Sequence, residues 1–122
     1  MEINKIYYEF TIANREYIDF ITNLSNTLVE CGNEDMKNTL LASKNKFEFI
    51  KIRIDDIEIN ENNNERLKHL KYIIMDAIFV TVDLLNFYST NQVERFKMRA
   101  VNYINKDRMQ KFIMDNPFKD NN

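Results

Sequence analysis

The sequence predicts an all-α domain, an up-down-up-down four-helix bundle of long helices. Three observations carry this. Gly32 and Pro117 are the only glycine and proline in 122 residues, whereas a compact sheet protein of this size uses several glycines at turns with positive φ. Polar breakers fall at near-equal intervals, at residues 31–35, 60–65 and 89–92, and cut the chain into four pieces of similar length. Apolar residues inside those pieces recur with the three-and-four spacing of helices that face a shared core. Abundant asparagine tempers the glycine argument, because Asn also enters the left-handed region.

In the first piece, Ile3, Phe10, Tyr17, Leu24 and Cys31 repeat every seven residues. Ile6, Ala13, Phe20 and Tyr7, Ile21, Leu28 fill the adjoining rows, so one helix over 3–31 is expected. Gly32 then reads as its left-handed C′ residue, and Asn33 as the N-cap of the next helix. The second piece has a seam of Met36, Leu40, Phe47, Ile50, Ile54 and Ile57. Phe49, Ile52 and Ile59 lie off that seam and form a second apolar stripe on the same expected helix. The third piece starts at an Asn cap and is apolar round most of its circumference, as a central helix requires. The fourth shows Val93, Phe96, Ala100, Tyr103 and Ile104, then an expected break near residues 104–107 and a short terminal helix with Met109, Phe112 and Ile113. Pro117 stops it, and 117–122 reads as a frayed tail.

A rival architecture competes. In "FEFIKIRIDDIEIN" Ile50, Ile52 and Ile54 alternate with Lys51 and Arg53, the period of a half-buried strand. With "KIYYEFTIA" as partner, this gives an α+β alternative with strands near 5–13 and 47–59. Near-absence of glycine and continuity of the upstream seam favour the helix.

Composition bounds the rest. A hydrophobic share of 44% against 30% charged residues supports one packed domain over 1–122 without metal or disulfide staples. The formal charge of −2 exerts no global pull on nucleic acid or anionic lipid. Cys31 is the lone cysteine, which excludes an intramolecular disulfide and a thiolate metal cluster and fits a reducing, cytoplasmic setting. The start lacks a basic-then-apolar leader, and Asp76 and Asp83 interrupt the most apolar run, so neither secretion nor membrane spanning is expected.

Chemistry-bearing motifs are few. His69, the only histidine, repeats with Asp76 and Asp83 at seven-residue spacing along one polar stripe. The histidine phosphotransfer pattern wants Lys three residues after the His and a small residue next; Tyr72 and Ile73 stand there. A carboxylate-bridged di-iron bundle needs two Glu-to-His pairs three apart. Here Glu65 and His69 are four apart, and no second His exists. Arg66 and His69, three apart, also miss the four-to-six spacing of bundle nucleases that pair Arg with His. No metal, cofactor or catalytic residue is assigned, and the stripe reads first as a solvated face.

Charge is uneven. Residues 1–64 hold seven Lys or Arg against twelve Asp or Glu, whereas 91–122 hold seven against four. Arg95, Arg99 and Lys106 share a narrow arc of the fourth helix, widened by Arg108 and Lys111. That arc is a candidate phosphate contact in nucleic acid, or a basic surface that simply packs beside acidic neighbours. The expectation is a small, non-catalytic interaction protein: an inhibitor, immunity, adaptor or assembly subunit. It would bind a protein partner, or a second copy as a homodimer, through Phe49, Ile52 and Ile59. A nucleic-acid-binding regulator that uses the basic arc is the alternative.

Overall fold

A computed structural model describes the backbone of residues 2–115 and the side chains of residues 2–109. Four helices account for nearly all of it: α1 Glu2–Thr27, α2 Glu34–Asp55, α3 Asn64–Ser89 and α4 Val93–Asp115. No strand occurs among the described residues. The α+β alternative is therefore overturned: residues 5–13 lie within α1, and 47–55 continue α2. Alternation of Ile50, Ile52 and Ile54 divides them between opposite sides of a helix, since Ile50 and Ile54 are buried and Ile52 is exposed.

The helices pack in sequence order, each against the next, with α1 closing on α4 and α1 and α3 on a diagonal. Short connections force antiparallel neighbours, so this is the up-down-up-down bundle. The expected seams are its core: Ile3, Ile6, Phe10, Tyr17 and Ile21 from α1, and Leu40, Phe47, Ile50 and Ile54 from α2. Leu67, Leu70, Ile74, Ala77 and Leu84 join them from α3, with Phe96, Ala100 and Tyr103 from α4. At mid-height Phe47 packs edge-on against Tyr17, with ring centroids 5.2 Å apart, and against Phe10 at 5.7 Å.

One hydrogen-bonded pair and one three-residue chain cross this core. The Tyr17 and Thr81 hydroxyls meet at 2.8 Å along the α1–α3 diagonal. The Tyr103 hydroxyl donates to Asn14 Oδ1 at 2.6 Å, and Asn14 Nδ2 donates to Asp107 at 2.8 Å. Burial pushes both phenols, Tyr17 and Tyr103, well above the usual tyrosine range.

Five expectations need correction. The first helix stops at Thr27, not Cys31, because the chain beyond it is held by other contacts: Leu28 tucks into the core, the Cys31 amide donates to Asn91, and the Asn33 amide to the Tyr88 hydroxyl. Gly32 is consequently no C′ residue and has no positive φ. That role belongs to Asn91, at φ 53°, after α3. The Gln92 amide donates to Phe87 O and the Asn91 amide to Tyr88 O, the bond pair of a Schellman cap. The second helix ends at Asp55, which takes Ile59 off it: Asp55, Asp56 and Glu58 would load negative charge onto the negative end of a longer helix. Fourth, α4 runs unbroken through 104–107, where Lys106 and Asp107 are each engaged by neighbouring helices. Asn33 caps α2 as expected, accepting from the Met36 amide at 3.1 Å. Asn63 precedes α3 without capping it; its side chain turns back to the α2–α3 connection. The tail at 117–122 lies outside the described residues.

Candidate functional site

The two charged stripes face each other. Asp83 on α3 meets Arg99 on α4 at 2.8 Å, and one heptad earlier Asp76 meets Lys106 at 3.3 Å. Antiparallel helices make such a ladder automatically: each step of seven along α3 is matched by a step of seven back along α4. Lys106 also donates to the Tyr72 hydroxyl at 2.6 Å and sits 4.9 Å from that ring's centroid. The Tyr72 contact first, and Asp76 with it, raise the Lys106 pKa and hold it charged.

The remaining sequence candidates scatter. His69 lies a heptad before Asp76 and has no hydrogen bond or ion pair among the described residues; it lines a cavity of about 280 Å³ with Ile3, Tyr7, Glu65, Arg66 and Leu70. Arg95 and Arg108 are exposed on α4, clear of the ladder. Lys111 lies outside the described side chains. Cys31 is a poor nucleophile, because burial and Glu30 push its thiol up. Among the described residues no group of three or more His, Cys, Asp or Glu is placed to hold a metal ion. No helix there is long and apolar enough to cross a membrane.

The apolar stripe behaves differently. Phe49 and Ile52 are each 62% exposed on the outward face of α2, although Phe47 and Ile50, two residues before them, are buried. Leu41, not singled out from the sequence, extends the row at 45% exposure. Asn38, Leu41, Asn45, Phe49 and Ile52 then follow a three-four-four-three spacing without a single charge. Such spacing is what a helix offers to another helix laid along it. Charges occupy the borders, where Lys44 pairs with Glu48 and Lys51 with Asp55. Ile59 is exposed too, but it belongs to the α2–α3 connection and stands apart from the row.

The buried polar pairs are the other feature that wheel patterns missed. Asn14 reads locally as a helix cap, yet it sits mid-helix, bridging two distant residues of α4. Only a contact between residues far apart in sequence reveals that role. Compared with family models, with curated proteins and with solved structures, the chain matches none.

Proposed function

We propose that this chain is a non-catalytic interaction protein that works by seating a protein partner along the outward row of α2. The observation that carries this is the exposure of Phe49 and Ile52 on a helix whose inner seam is already filled. Burying either side chain on a partner is worth about 1.5–3 kcal/mol, and a contiguous row of such groups is rarely left in water without a use. Inhibitors, immunity factors, adaptors and assembly subunits all act by occupying another protein's surface. The lone thiol of Cys31 suits a reducing cytoplasm.

The ladder engages part of what two other readings would use, the basic arc and the carboxylates beside His69, and leaves Arg95 and Arg108 of the arc free among the described residues. A phosphate backbone would meet Arg99 and Lys106 already engaged by Asp83 and Asp76. A reaction centred on His69 with Asp76 or Asp83 would find both carboxylates already ion-paired with Lys106 and Arg99. Retention on mixed DNA or RNA at low salt, weakened by Arg95→Ala with Arg99→Ala, is the result that would restore the nucleic-acid reading.

The test of the proposal is a quantitative pull-down from the native host with the tagged chain and a Phe49→Asp/Ile52→Asp variant of unchanged helix content. The expected result is one partner retained by the parent chain and depleted from the variant. Equal recovery by both would refute the assignment to α2.

A further inference from the structure

A second surface is left uncovered, on α4. Met98, Val101 and Met109 are exposed there, with Asn102 and Asn105 between them. On one helical wheel these residues point directly away from buried Phe96, Ala100 and Tyr103. Arg95 and Arg108 flank the row, and neither has a partner among the described residues; the exposed carboxylate of Glu94 stands at its N-terminal end. Neighbouring Arg99 and Lys106 already serve Asp83 and Asp76. The result is an adaptable, methionine-rich strip with an unneutralised basic border.

The opposite character appears at the connection from α2 to α3. Asp56, Glu58 and Glu61 are exposed and unpaired among the described residues, and Ile59 stands between them at 58% exposure. This corner is closed on itself. The Asn60 amide donates to Asn63 Oδ1, the Asn62 and Asn63 amides to Asn60 Oδ1, and Asn63 Nδ2 to Glu58 O. A corner held this way presents Ile59 and its carboxylates with little ordering left to do on binding. Within one chain the two surfaces do not meet, because α4 packs on α3 and α1 and turns its methionine row away from the core.

We infer that the outer face of α4 seats the acidic, isoleucine-tipped α2–α3 corner of a second copy of this chain. Charge complementarity selects this occupant: the corner carries three unpaired carboxylates round one apolar residue, and the strip carries unpaired arginines beside apolar residues. Each copy supplies one half of the contact to a neighbour through different parts of its surface. Neither Phe49 nor Ile52 takes part, so this self-association is separate from partner binding along α2.

Sedimentation velocity on the full chain tests it, with Arg95→Glu/Arg108→Glu, Asp56→Lys/Glu58→Lys and Phe49→Asp/Ile52→Asp variants whose circular dichroism matches the parent. The parent is expected to self-associate at about 100 µM in about 0.1 M salt, and at least tenfold more weakly near 1 M, where the screening length falls from about 10 Å to about 3 Å. Each charge-reversed variant alone should be monomeric, and their equimolar mixture should recover the association of the parent, since each reversed surface then meets its opposite. The Phe49→Asp/Ile52→Asp variant should associate like the parent. A monomeric parent under these conditions, association that survives both reversals, or a mixture that stays monomeric would overturn the inference. Loss of association in the α2 variant would overturn it too, placing the second copy on α2 instead.

Discussion

The α3–α4 groove and the outward row of α2 look alike as one-dimensional patterns: each is a heptad repeat of residues that could act on something else. They end differently. In the groove, Asp76 and Asp83 find Lys106 and Arg99 across a helix pair, and both stripes become part of the fold. On α2, Leu41, Phe49 and Ile52 have no helix of the bundle across from them. A helical wheel says which residues share a face; what stands opposite that face is decided by topology. Sequence candidates that find complements inside the chain are explained by the fold, and those that do not are the ones left for function.

The contrast in stability is largest inside α2. Phe47→Ala removes a ring that packs on Phe10 and Tyr17 and should cost about 3–5 kcal/mol in chemical denaturation. Next, Asn14→Ala strands the buried Tyr103 hydroxyl and should cost about 1–3 kcal/mol by the same measurement. Alkaline titration probes that interior again. Tyr17 and Tyr103 hold their protons in the folded state to higher pH than in the unfolded chain, where a tyrosine titrates near pH 10. Stability is therefore intact below about pH 10 and declines above it, by about 1.4 kcal/mol per pH unit for each phenol. A circular-dichroism melt at pH 9 and pH 11 reads the difference, and Tyr17→Phe should make it smaller.

Smaller effects define the surface. Arg99 and Asp83 are both partly exposed, so a double-mutant cycle on Arg99→Ala and Asp83→Ala should give a coupling of only about 0.2–1 kcal/mol, lower still in high salt. Smallest of all, Phe49→Ala should change stability by no more than about 0.5 kcal/mol, although the same substitution two residues earlier is the most damaging. A large loss at Phe49 would mean that this ring is covered within the chain, and the contrast between the two regions would collapse.

Much of this fold was legible. Seam residues such as Phe10, Phe47, Ile50 and Phe96 are buried where their spacing puts them, because burial follows helical periodicity closely. Helix ends were less so. Gly32 is an obvious stop signal, yet α1 has already ended at Thr27, and the left-handed cap among the described residues is Asn91, at the end of α3. Ile59 was assigned to the α2 stripe from spacing alone, and the charges at Asp55, Asp56 and Glu58 argue for an earlier end. Continuity of α4 past Asn105 was hidden because it depends on lateral bonds from Asp76 and Asn14, over 90 residues away in the latter case. For the candidate site, Phe49 and Ile52 were visible as a face off the seam. Leu41 was not, and neither was the mutual satisfaction of the two charged stripes.

One titration puts both regions on the same scale. With the captured partner purified, its affinity is measured for the parent chain, for Ile52→Asp and for Asp83→Asn. At least a thirtyfold loss is expected for Ile52→Asp, as for a residue carrying about 2 kcal/mol of binding energy, and a change within about twofold for Asp83→Asn. The reverse order, with Asp83→Asn crippling and Ile52→Asp neutral, would contradict the assignment to α2 and move the binding surface to the α3–α4 groove.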